Sequence, residues 1–240
     1  MPRADQSPER PTTQSHALAL ESLVFRYPSQ PADTLRIEAF HADHAEQILL
    51  SGKSGAGKST LLNLIMGLLE PTEGTVRVAG RDIHKLTGAA RDHFRGRNIG
   101  VVFQSFHLLH GFSAFENVLM PLTFSDIPPK EHDERAKALL SELDIPNPSA
   151  LPENMSLGQQ QRVAVARALA CEPALILADE PTASLDPENA AIAMDLIQKV
   201  CRDHNAAMLC VSHDPTLVPR FDRSLNLAEL NIAKPESIPA

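Results

Sequence analysis

Lys58 and Ser59 close the octapeptide Gly52-Lys53-Ser54-Gly55-Ala56-Gly57-Lys58-Ser59, which fills the pattern G-x-x-x-x-G-K-[ST] at every fixed position. Its chemistry is that of a phosphate cradle. Glycines let the backbone fold tightly enough for successive N–H groups to converge on an anion, and the following helix turns its positive end to the same place. Lys58 would reach the β- and γ-phosphates of a nucleoside triphosphate, and the Ser59 hydroxyl would ligate Mg²⁺. Gly52 through Ser59, with Thr60 in the first turn of the helix, are the candidate nucleotide-binding positions. The competing reading, a glycine-rich turn that binds nothing, is disfavoured by context. Gln47 to Ser51 is a short apolar strand, and Thr60 to Leu69 is an apolar helix closed by Pro71, the strand–loop–helix order that the motif requires.

A second set of chemically capable residues lies downstream. Ala174 to Ala178 is a continuous apolar run, the pattern of a strand buried on both faces of a parallel sheet, and it ends in Asp179-Glu180. Ligands of open α/β sheets bind at such strand ends. Neighbouring strand side chains point opposite ways, so the two carboxylates have separate work. Asp179 would hold Mg²⁺ through its water shell, and Glu180 would be general base for the water attacking the γ-phosphate. Ala207 to Ser212 is another buried strand, delivering His213 to the same edge. This histidine either contacts the γ-phosphate or is a satisfied structural residue. Asn98 to Gln104 reads as a strand ending in an amide that either closes the strand or faces the metal and the attacking water. Tyr27, in a chain with one Tyr and no Trp, either packs on its sheet or stacks on adenine. Ser156-Leu157-Gly158-Gln159 introduces the helical run Gln160 to Ala170. Ser156 and Gln159 have capping-box spacing, which explains both without a ligand, while a serine and glycine at a helix start also make an anion site.

The elements that must position these groups are those of an α/β protein. Residues 1–17 are polar and aperiodic, the composition of a disordered leader, and residues 229–240 read as a tail. Leu18 to Tyr27, Leu35 to Phe40 and Gly74 to Val78 are strand-like, and Lys130 to Leu143 is an amphipathic helix with a solvated charged face. Asp186-Pro187 is an N-cap with Pro at the first helical position, starting a helix over Glu188 to Arg202. The 240 residues, 43% hydrophobic, suffice for a large core, and no window approaches the roughly 18 consecutive apolar residues of a membrane span. With no signal-peptide core, a cytosolic location is expected. Cys171, Cys201 and Cys210 form no CxxC pair and read as reduced core thiols. The 22 Lys+Arg against 30 Asp+Glu give a net charge of −8, which argues against a dominant nucleic-acid surface.

In this order the pieces resemble the ATPase subunit of an ATP-binding cassette (ABC) transporter, over about Leu18 to Leu227. The resemblance rests on the A-loop aromatic Tyr27, the P-loop Gly52 to Ser59, the Q-loop Gln104 and the signature Ser156 to Gln159. It continues through the Walker B run Leu175 to Asp179 with Glu180, the D-loop Ser184-Leu185-Asp186 and the switch His213. It implies a P-loop NTPase (RecA-like) core with an antiparallel β subdomain and an inserted α-helical subdomain at about 92–160, within an ATPase domain over 18–228. It further implies ATP and Mg²⁺ as ligands, with Tyr27 on the adenine, Ser59, Gln104 and Asp179 at the metal, and Lys58, Gln104, Glu180 and His213 as catalytic groups. Two copies would pair head to tail, Ser156, Gly158 and Gln159 of one closing over nucleotide on the other. Closure would move an integral membrane permease docked near Gln104 and the helical subdomain, the chain itself being peripheral on the inner face of the membrane.

Ile99 to Leu122 and Gly158 to Arg162 are most similar to the subfamily of lipoprotein-releasing, macrolide-exporting, cell-division and glycolipid-exporting ATPases. That likeness implies export or extraction of a lipid, lipoprotein or hydrophobic compound. Three departures stand out: Leu157 where the signature usually has a glycine, Lys53 where the P-loop usually has Pro or a small residue, and no aspartate-glycine turn after Leu225. With no regulatory domain following, inhibition by transported substrate is not expected. The alternatives are the ATPase of an ABC importer and a non-transport ABC ATPase acting on nucleic acid or ribosomes. The second is disfavoured by the acidic charge and by the lack of a second cassette. A simple P-loop kinase has no use for a serine acting in trans at a helix start.

Overall fold

The computed structural model describes residues 16–53 and 55–233. Fifteen residues of the expected leader, the end of the tail and Ser54 lie outside that range. In chain order the elements are β1 (Leu18–Phe25), β2 (Leu35–Ala42), β3 (Gln47–Ser51), α1 (Lys58–Ile65), β4 (Glu73–Val78), β5 (Arg81–Asp82) and α2 (Gly88–Asn98). There follow β6 (Ile99–Val102), α3 (Ala114–Thr123), α4 (Pro129–Glu142), α5 (Leu157–Leu169), β7 (Leu175–Asp179), α6 (Pro187–Asp203), β8 (Ala207–Ser212), β9 (Arg223–Asn226) and α7 (Leu227–Leu230).

The strands form two sheets. One is antiparallel, ordered β2-β1-β4-β5, and the other runs β6-β7-β8-β3-β9 with every described pairing parallel. The continuous apolar runs are explained by two cores, one on each face of the parallel sheet. Leu49, Ile176, Ala178, Met208 and Cys210 face a core shared with α3 to α6. Their neighbours Ile48, Leu50, Leu175, Leu177, Leu209 and Val211 face the core built with α1 and the antiparallel sheet. A strand covered on both faces has no polar side, so it cannot alternate. Gly100 on β6 illustrates the packing: a Cβ there would lie 2.2 Å from the Ala168 carbonyl oxygen of α5.

Between β6 and β7 the chain inserts helices, α3 packing on both α4 and α5. The capping box on α5 is present as expected, and Asp186 caps α6 by accepting from Asn189 N. Some expectations shift. Helix α1 ends at Ile65, because Gly67 turns left-handed at φ 68° and Leu68 and Leu69 bond back to the Asn63 carbonyl. A second capping box, Ser113 with Glu116, starts α3, a helix that the sequence reading does not place. The three cysteines are free and buried, and burial pushes the Cys201 thiol up to about 12. No helix among the described residues is long and apolar enough to cross a membrane.

Candidate active site

The P-loop joins β3 to α1. The N-cap of α1, Gly57, sits at φ 96°, and no side chain among the described residues caps the helix. Gly55 is also left-handed, at φ 79°, and a Cβ added there would meet nothing within 4 Å. An uncapped helix start beside open space is where an anion is received, because its first N–H groups have no intrahelical partner. Lys58 Nζ donates to Gly52 O at 2.5 Å and to Lys53 O at 3.3 Å, holding the ammonium across the loop, while Ala56 N donates to Lys53 O at 3.2 Å. Ser59 is exposed in the first turn of α1 and Thr60 is buried. Tyr27 stands at the same turn: its hydroxyl shares a hydrogen bond with Thr60 Oγ1 at 3.1 Å, and its ring meets Phe25 edge-on at 4.8 Å between centroids.

Strand β7 brings Asp179 to this loop, with Glu180 just past its end. Asp179 has the parity of Leu175 and Leu177, the face covered by α1, and sits opposite Val211 of β8. Burial holds its carboxyl above the usual carboxylate range, the neighbouring Glu180 charge adds to this, and Lys58 opposes it. Glu180 does not continue the strand. It takes φ 48°, its N–H bonds Val211 O at 2.9 Å, and its carboxylate turns onto the end of β8. There Oε2 accepts from Ser212 Oγ at 2.8 Å, and Oε1 accepts from His213 N at 3.1 Å with His213 Nδ1 at 2.6 Å. Lys53, Lys58, Glu180 and His213 line one open cavity of about 420 Å³. Two ammonium groups facing a carboxylate and an imidazole suit a polyanion whose terminal group is attacked by an activated water. A second cavity, about 660 Å³, shares Glu180 and His213 and runs past Leu185 and Asp214.

Gln104 is not on a strand. The β6–β7 ladder stops at Val102 opposite Ala178, Phe106 N closes a turn on Phe103 O at 3.0 Å, and Gln104 is exposed within it. Its carbonyl accepts from Ser184 Oγ at 3.3 Å. Ser156, Gly158 and Gln159 lie at the start of α5, where Ser156 and Gln159 bond each other reciprocally at 3.0 and 3.2 Å. Leu157 beside them is 51% exposed, and a Cβ on Gly158 would meet nothing. Two further residues escape a reading of the sequence. Ser212 orients Glu180, and Gln161 of α5, 1% exposed, donates from Nε2 to Pro181 O at 2.6 Å. The Gln159-Gln160-Gln161 run gives no sign of which amide turns inward.

The chain is similar to proteins of one family. A family model described as ABC transporter matches residues 36–183. The lipoprotein-releasing system ATP-binding protein LolD of Chromohalobacter salexigens is 39% identical over 213 residues, 88% of this chain and 90% of that one. Among solved structures, the ATP-binding cassette MJ0796, in a dimeric post-hydrolysis state bound to ADP and Pi, is 32% identical with a TM-score of 0.75, over 87% of this chain and 93% of that one. The cbiO1 protein of Clostridium perfringens, part of the ABC transporter complex cbiONQ, is 26% identical with a TM-score of 0.79, over 88% of this chain and 84% of that one.

Proposed function

Because the chain belongs to the ABC transporter family, as an ATP-hydrolysing subunit with the P-loop NTPase fold, we propose that two copies close head to tail over ATP to drive a membrane permease. The cargo is a lipoprotein, lipid or other hydrophobic compound moved outward, a reading supported by the similarity to LolD over nearly the whole chain. One observation carries the dimer. The signature helix start, with Ser156, Gly158 and the 51%-exposed Leu157, is turned to solvent, whereas the P-loop cavity is lined by residues of other elements. An exposed leucine flanked by an anion-receiving helix end fits burial against a second copy.

In this reading Lys58 and the P-loop amides hold the phosphates, and Tyr27 supports the base. Glu180, oriented by Ser212 and His213, takes a proton from the attacking water, and His213 faces the γ-phosphate. Ser59, Gln104 and Asp179 offer only oxygen donors, the set that a hard cation such as Mg²⁺ takes, and the ion would neutralise phosphate charge. A cation would also relieve the half-buried charge of Asp179. The permease docks near Gln104 and the inserted helices and keeps the chain at the inner membrane face. Glu180→Gln is expected to lower turnover by roughly 10²–10⁴-fold while leaving ATP-dependent dimers in sedimentation. Undiminished hydrolysis would remove Glu180 as base. Copurification of a six-span permease with a binding protein, instead of a few-span permease with a large periplasmic domain, would overturn the export reading.

A further inference from the structure

Strand β2 is the outer strand of the antiparallel sheet, and its exposed His41 sits opposite Ala19 of β1. The residue two places before β1, His16, lies alongside, with imidazole centroids 4.5 Å apart and planes tilted by 33°. Asp43, just past β2, is hydrogen-bonded through Oδ1 to His16 Nδ1. One ligand atom from each of His16, His41 and Asp43 lies within 4.8 Å of the other two, and all three residues are exposed.

The backbone beneath each is tied down. Ala17 is buried, and its carbonyl accepts from Ala79 N at 3.0 Å. The His41 carbonyl accepts from Arg223 Nη1 at 2.9 Å, and the same guanidinium holds Glu46 at 3.1 Å. Glu46 Oε2 accepts from Asp43 N at 2.8 Å while Glu46 N donates back to Asp43 O at 3.1 Å. Ligands carried on fixed backbone lose less freedom on binding.

We infer that His16, His41 and Asp43 form a binding site for a divalent transition-metal ion of the Zn²⁺ type, water completing its coordination. Two imidazoles and one carboxylate suit Zn²⁺, Co²⁺ or Ni²⁺, whereas Mg²⁺ takes oxygen donors. Metal–ligand bonds of about 2.0–2.2 Å set tetrahedral ligand atoms about 3.4 Å apart, so the His16–Asp43 pair must open to admit the ion while His41 closes on it, adjustments that rotation of exposed side chains supplies. The competing state is weak, because a solvent-exposed His–Asp pair contributes little in water. The ion takes the place of the hydrogen shared by His16 Nδ1 and Asp43, and it ties the segment before β1 to the sheet edge.

The test is titration of the full chain, stripped of metal and free of Mg²⁺ and nucleotide, with Co²⁺ followed by visible absorption and with Zn²⁺ followed by calorimetry. One equivalent should bind, and Zn²⁺ should raise the unfolding temperature. His41→Ala and Asp43→Asn change exposed side chains, so both variants fold; each should weaken binding at least about tenfold, the smallest loss seen when even an outer-shell partner is removed. Steady-state ATPase turnover should be unchanged in both. Failure of the native chain to saturate, or a loss below about tenfold in either variant, overturns the site.

Discussion

Asp179 ends a strand whose four preceding residues are buried, and its carboxyl is held above the ordinary range chiefly by that burial. A folded-state value above the unfolded one means that the fold favours the neutral acid. This contribution is fully present below the unfolded value and is lost as pH rises through the folded one. At neutral pH the ionised side chain therefore opposes folding. Asp179→Asn is expected to raise the unfolding temperature of the nucleotide-free chain at pH 7, with the gain vanishing below the ordinary carboxylate range. Thermal unfolding followed across pH checks this, and an unchanged or lowered midpoint at pH 7 would contradict it. Lys53 is the second informative residue, since it shares the cavity with Lys58, Glu180 and His213 yet is exposed. Solvent screens such a charge, so Lys53→Ser should raise KM for ATP about two- to fivefold with kcat nearly unchanged, and the difference should shrink in high salt. An equal fall in kcat and kcat/KM would instead give Lys53 a transition-state contact.

At the scale of elements, what reads from the sequence and what does not have physical causes. β3, β7 and β8 are legible because each is buried on both faces, and α5 is legible because its cap has S-x-x-Q spacing. The same logic misses α3, although Ser113 and Glu116 carry the equivalent signal, because Pro121 and the apolar-polar mixture obscure the period. It also extends β6 too far, since Phe103 is apolar but belongs to a turn. Parity places Asp179 on the face of Leu175 and Leu177 but does not govern Glu180, which leaves the strand at φ 48°, and the grip of Ser212 and His213 on Glu180 depends on the β7–β8 register, which no local pattern records. Nor does one show that Gln161 joins α5 to the loop after Glu180. In Gln161→Leu the lost bond to Pro181 O and the removal of a buried Oε1 that has no hydrogen-bond partner among the described residues offset each other. Stability should change by less than about 1 kcal/mol while kcat falls. Denaturant midpoints alongside steady-state kinetics test this, and an intact kcat would show that the tie is not needed for turnover.

For the molecule as a whole, the parallel sheet divides two cores, and at the C-terminal ends of its strands Glu180 and His213 line one cavity with Lys58. The start of α5 contributes no side chain to the lining of that cavity. If a second copy completes the site, a bulky cation at the helix start should block association without emptying the P-loop. Ser156→Arg placed on Glu180→Gln should thus convert ATP-dependent dimers to monomers in sedimentation, with ATP affinity of the monomer changed by less than about threefold, under 1 kcal/mol. Dimers that persist would refute the proposed pairing.

Glu180 occupies φ 48°, a backbone conformation that glycine or asparagine adopts with less strain, by about 1–2 kcal/mol for glycine. Stabilising this protein for practical use therefore carries a hazard. A library scored only for survival of heating has a physical reason to accept replacements at 179 and 180, where the proposed chemistry resides, so those two codons should be held fixed or every survivor assayed for hydrolysis.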